Sequence, residues 1–277
     1  MLQSCSAVRL AYNQAPELTY WWLDGYVNFS EAQSSRVRAD LARLQQWHRH
    51  TELPHYAALL QGMEQLAPGP ITPEQACHLL AQLRSRLAAL LEQAEPAAAA
   101  MALSLSAEQL QHLERKYAKN NADYRRDWLL SAPKEQQAKR YQQWLERSER
   151  FYGPLDEPQK DVIRQHAAQS SYDPHTSYAE RLRRQQDALQ TLRRLVAEQA
   201  TPAQAQAALH AFIERSLNSP NLAYRAYLQT LMQEGCHSVA ATHNSTTAAQ
   251  RAVAAKRLRA YAQDARLLAQ ETELAAR

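Results

Sequence analysis

With 277 residues, the chain is long enough for one large domain or two average ones. Only 5 Gly and 3 Phe accompany abundant Ala, Leu, Gln, Arg and Glu, a composition that favours helix throughout and excludes a strand-built fold. The 32 basic and 28 acidic residues leave a formal charge of +4 interspersed along the chain, so no nucleic acid partner is expected, and no stretch approaches the roughly 18 apolar residues of a membrane span.

Apolar periodicity and capping signals give an all-α protein of about nine helices joined by short loops, packed as an elongated helical bundle. In chain order the helices fall near 15–27, 31–66 with a bend at Pro54, 73–94, 107–130, 133–152, 157–170, 174–199, 202–217 with 220–241, and 247–274. Their starts share one device, in which a short side-chain oxygen accepts from free backbone N–H groups while a glutamine three residues on reaches back. Ser30 to Gln33, Thr72 to Gln75, Ser106 to Gln109, Thr201 to Gln204 and Thr247 to Gln250 carry it, and Pro133, Pro158, Pro174 and Pro220 mark further starts. The run from Glu95 and Pro96 to Ala100 reads as a linker. It divides an aromatic N-terminal segment (1–30) and a helical hairpin (31–95) from a C-terminal bundle (96–277), unless the whole is one continuous domain.

Polar residues interrupt two apolar helix faces. Asn120 or Asn121 falls among Leu110, Leu113, Tyr117, Tyr124 and Trp128, and Gln185 and Gln186 straddle a gap among Leu182, Leu189, Leu192 and Val196. A buried amide needs partners, so these positions form either a polar groove lined by Lys116, Asn120, Arg126, Arg183 and Gln186 or an internal hydrogen-bond network that fixes helix register. Ten histidines raise the question of metal, yet His48, His50 and His55 lack a ligand spacing and neither His-Glu-x-x-His nor Cys-x-x-Cys occurs. No metal and no cofactor are expected. No Gly-x-Ser-x-Gly motif is present, and no catalytic residue stands out.

The opening Leu2-Gln3-Ser4-Cys5 matches the end of a bacterial lipobox, with a small residue before a cysteine whose thiol is acylated. What precedes Cys5 is too short for a signal peptide, so the reading frame is expected to begin upstream of Met1. The residues that follow, Ser6-Ala7-Val8-Arg9-Leu10-Ala11-Tyr12-Asn13-Gln14 with Trp21-Trp22-Leu23 and Tyr26, extend the pattern. With Arg36-Val37-Arg38, Trp47-His48, Leu53-Pro54, the segment from Tyr117 to Trp128 and His243-Asn244-Ser245-Thr246, they resemble a family of uncharacterised proteobacterial lipoproteins. That resemblance implies a lipid anchor at Cys5, and Ser6 in the next position resembles the sorting pattern for the outer membrane.

In the oxidising compartment so implied, Cys77 and Cys236 can form a disulfide. Each also lies on an apolar helix face and could serve as a small buried residue. Trp21 and Trp22 point in different directions from one helix, so one is expected in the core and the other against membrane headgroups or a partner.

The expected function is therefore a non-catalytic, chaperone-like or helical interaction module on the periplasmic side of the outer membrane. Lipid engaged through Cys5 and a periplasmic protein are its partners. The alternatives are a cell-envelope hydrolase using clustered carboxylates and His243, and a structural spacer.

Overall fold

The computed structural model describes residues 7–271. Among them every regular element is helical: α1 (Ala7–Asn13), α2 (Ala15–Val27), α3 (Glu31–Trp47), α4 (Leu53–Leu66), α5 (Pro73–Ala102) and α6 (Ala107–Tyr124) in the first half. The second half holds α7 (Pro133–Tyr152), α8 (Glu157–Gln169), α9 (Pro174–Ala197), α10 (Pro202–Leu217), α11 (Leu222–Ser245) and α12 (Ala248–Gln270). A π turn at His48–Glu52 joins α3 to α4 without a break, so the described residues form eleven rods rather than nine. Pro54 explains the turn: it cannot donate to a preceding carbonyl, and the wider turn, closed by the Leu53 N–H on the His48 carbonyl, makes room for its ring.

The expected linker at 95–100 is helix. Pro96 lies inside α5, which runs to Ala102, because the alanines around it have the highest helix propensity and Ala99 and Ala102 pack against Leu195, Ala205 and Leu209 of α9 and α10. Residues 31–95 do not stand apart from the rest. α4 lies along α12, where Leu53 and Ala57 meet Ala265 and Leu268, and α5 packs on both α10 and α11. The first and last described helices are tied as well, since Arg9 and Arg49 both pair with Glu271.

All five capping boxes read from the sequence are formed, and Asp156 with Gln159 adds a sixth. Four of them interlock in pairs. Gln33 and Gln109 exchange amide hydrogen bonds of 3.2 and 2.6 Å. Gln33 also donates to the Ser104 carbonyl, two residues before the α6 cap, and Gln109 to the Asn28 carbonyl, two residues before the α3 cap. Gln159 and Gln250 repeat the arrangement, exchanging bonds of 2.7 and 2.9 Å while donating to the carbonyls of Ser245 and Pro154. α3 is thereby tied to α6, and α8 to α12, at their first turns.

Cys77 of α5 and Cys236 of α11 are joined by a disulfide across 159 residues, with their Cα atoms 5.2 Å apart. Of the two readings open in the sequence, the bridge is the one formed, and Cys236 is also fully buried.

Closing so long a loop removes roughly 5 kcal/mol of chain entropy from the unfolded state. Reduction, or Cys77→Ala with Cys236→Ala, should therefore lower the denaturant midpoint sharply; an unchanged midpoint would show that the bridge contributes nothing. Gln159 is buried and Gln33 only half-buried, so Gln159→Ala should cost about 2–3 kcal/mol and Gln33→Ala about 1, compared in urea unfolding.

Candidate functional site

A cavity of about 790 Å³ opens between α2, α3, α5, α6, α9 and α10. Its floor is α5 on either side of Pro96, where Ala94, Ala97, Ala98 and Ala100 end at Cβ and leave space that larger side chains would fill. Leu23 and Val27 of α2, Val37, Leu41 and Leu44 of α3, and Leu192, Leu209 and Phe212 of α9 and α10 form apolar walls.

Charge is confined to one edge. Arg36, Asp40 and Arg43 follow one another at helical spacing along α3 and line the cavity there, with Asp40 paired to Arg43 and 3.9 Å from Arg36. The two arginine side chains are 55% and 67% exposed, so their guanidinium groups sit where the cavity meets solvent. Chemically this is a place for an apolar body with a polar or anionic end. The sequence carries a faint signal of it in the alanine run around Pro96, although a proline in such a run also suggests a break.

The residues chosen from the sequence as a polar groove are dispersed. Lys116 and Asn120 meet at Tyr26, the ammonium 5.4 Å from the ring and the Asn120 amide donating to the phenol oxygen at 2.8 Å. Arg126 stands in solvent and pairs with Asp123 and Asp127, and Gln186 is exposed.

Arg183 belongs to a different cluster, donating to Glu180 and Asp187 and to the Arg215 carbonyl. The amides that turn inward are the neighbours, Asn121 and Gln185, which bond each other at 2.7 and 3.1 Å while Arg181 donates to Asn121. This pairing joins α6 to α9 as a register-fixing network, and the five-residue groove does not form. A one-residue step on a helix turns a side chain by about 100°, which decides the outcome.

Neither tryptophan enters the core. Tyr20 is the buried ring of α2, donating to Ser34 and lying 3.7 Å beneath the Arg38 guanidinium, whereas Trp21 and Trp22 are 59% and 62% exposed. Leu18 at 62% and Leu10 at 61% are exposed as well. Cys5 lies outside the described residues.

His243 is buried against a second, smaller cavity of about 280 Å³. Its Nε2–H donates to the Gly69 carbonyl at 2.8 Å, which leaves Nδ1 to accept the Tyr152 hydroxyl at 2.9 Å. Burial holds the imidazole below its ordinary pKa, and burial pushes the Tyr152 phenol up to about 12. Both ring nitrogens are thus committed, and neither partner is a carboxylate or an activated nucleophile.

A model of the DUF6279 family, a family of unknown function, matches residues 25–215. The chain belongs to this family. No curated protein and no solved structure matches it. The segment that places it in the DUF6279 family holds the entire wall of the 790 Å³ cavity except Leu23, whereas His243 and α12 lie beyond it.

Burial keeps His48, His166 and His243 neutral in the fold, each below its ordinary value of 6.5. Below about pH 6.5 the unfolded chain gains protons that the folded one resists, so stability is present above that pH and is lost as pH falls through the depressed folded values. Urea midpoints should drop between about pH 7 and about pH 5, with a shallower slope in His243→Asn; equal slopes would show that His243 does not carry the effect.

Proposed function

We propose that this chain is a lipid-anchored, non-catalytic binding module on the periplasmic side of the outer membrane. In this reading it shelters the acyl portion of a membrane-derived amphiphile in the cavity between α3 and α5. The observation that carries the proposal is the segregation within that cavity, which is mainly apolar along its floor and walls, with Gln93 and Thr191 as polar exceptions, and charged only at the edge formed by Arg36, Asp40 and Arg43.

An acyl chain gains about 0.8 kcal/mol for each methylene taken from water, and the arginines at the edge suit an anionic headgroup. α2 supports the same reading from outside. The helix that contributes Leu23 and Val27 to the cavity wall presents Leu18, Trp21 and Trp22 to solvent, and amphipathic indoles of this kind favour a headgroup boundary.

Acylation of Cys5 would bring this helix to the bilayer, and the proteobacterial lipoprotein resemblance is consistent with it. The interaction is chaperone-like in that a tethered protein holds an apolar chain out of water. Hydrolysis is the weaker reading because His243 is occupied at both nitrogens.

Two measurements test the proposal. Intact mass after expression in a Gram-negative host from the upstream-extended gene should show three added acyl chains that Cys5→Ala loses, and unmodified protein from both would remove the anchor. Soluble Cys5→Ala protein should bind a fluorescent fatty acid saturably. Ala97→Trp, which fills the floor, should weaken binding at least tenfold without lowering the melting temperature. No saturable binding, or equal binding by Ala97→Trp, would overturn the cavity reading.

A further inference from the structure

We propose that a second pocket, between α7, α8 and α11, is a binding site for a carboxylated sugar. The pocket is about 560 Å³, and it combines one incompletely compensated cation with hydroxyl-binding groups and an aromatic wall. None of its residues takes part in the apolar cavity, so this inference stands independently of the reading above.

Arg140 is the centre of the argument. Its guanidinium is half-buried, 4.8 Å over the Tyr172 ring, and among the described residues it has no carboxylate within ion-pair distance. Burial pulls its pKa below the usual value, and the more distant Glu234 and the Tyr172 and Tyr227 phenols only partly offset that. A partly desolvated guanidinium without a bidentate partner is matched by an incoming carboxylate, whose two oxygens fit its fork.

The neighbours select what that carboxylate is attached to. Glu234 is fixed by the Ser170 hydroxyl at 2.8 Å and the Ser171 N–H at 3.0 Å, so it stays charged beside Arg140 and opposes a second negative charge there. A monoanionic carboxylate with sugar hydroxyls is therefore favoured over a phosphate dianion. His166 and His237 approach from α8 and α11 and can accept or donate to hydroxyls, and Trp144 offers an apolar face for a sugar ring.

Open space adjoins Gly235 on the α11 side of the pocket. This residue lies inside α11, where glycine is less stable than alanine, yet a Cβ built there would touch nothing within 4 Å. Packing of the fold does not require this glycine, but a ligand approaching the helix backbone would use the space.

The test titrates the full chain with D-glucuronate by calorimetry, with D-glucose and inorganic phosphate as comparators. Glucuronate should bind saturably, glucose at least tenfold more weakly, and phosphate should fail to compete. Arg140→Gln should lose roughly tenfold or more in affinity. Gly235→Ala should raise the melting temperature while weakening glucuronate severalfold, an opposition that a merely structural role would not produce. Absence of saturable glucuronate binding, unchanged affinity in both variants, or phosphate binding as tight as glucuronate would each overturn the proposal.

Discussion

Two glutamine pairs set the frame on which the rest of the molecule is hung. In a bundle with few bulky core residues, helix position has to be fixed by something more directional than apolar contact, and the interlocked caps do this where each helix begins. Gln33 and Gln109 each close their own helix and then satisfy a carbonyl of the partner's approach loop, so α3 cannot shift along α6 without breaking four hydrogen bonds at once. Gln159 and Gln250 hold α8 to α12 in the same way, with Gln159 fully buried. Each bond is worth only about 1 kcal/mol net, but a buried amide stripped of partners costs more than the bond it lost, and that asymmetry specifies one register.

Other polar ties extend the same logic. Glu180, buried in α9, accepts from Arg183, Arg184 and Ser219, so although burial alone would raise its pKa these bonds hold the carboxyl below its ordinary range. Asp187 receives Arg215 and Arg183, which binds α10 back onto α9. The apolar clusters between these ties are small; two are rich in alanine, and the third gathers Leu155 and Ile163 around Tyr152. Close helix approach, a disulfide from α5 to α11 and a set of fixed caps together compensate for the limited apolar surface.

Much of this was legible because capping is local chemistry. Ser30, Thr72, Ser106, Thr201 and Thr247 each sit three residues before a glutamine, and every one starts a helix. What those glutamines do across the molecule was not legible, since nothing local says which two helix starts meet. The Pro96 break failed for a related reason: proline is disfavoured inside a helix, but the packing of Ala99 and Ala102 on α10 outweighs that cost, and only tertiary contact reveals it. Of the amides that interrupt the two apolar faces, Asn121 and Gln185 form the pair, whereas Asn120 and Gln186, assigned to the polar groove, do not. The cavity was missed altogether, because a space is defined by what several helices leave unfilled.

That space follows from the packing beside it. Ala99 and Ala102 are small so that α5 can approach α10, and the run of alanines continues around the helix, leaving unfilled space between its other face and α3. α2 then carries two apolar faces, one toward the cavity through Leu23 and Val27 and one toward solvent through Leu18, Trp21 and Trp22. A helix apolar on opposite sides is ordinarily buried on both, and in the lipid-binding reading proposed above the open face would meet a second apolar phase. A bilayer held close by an acylated Cys5 would be that phase, and the same helix would then separate the membrane from the cavity by the width of one helix.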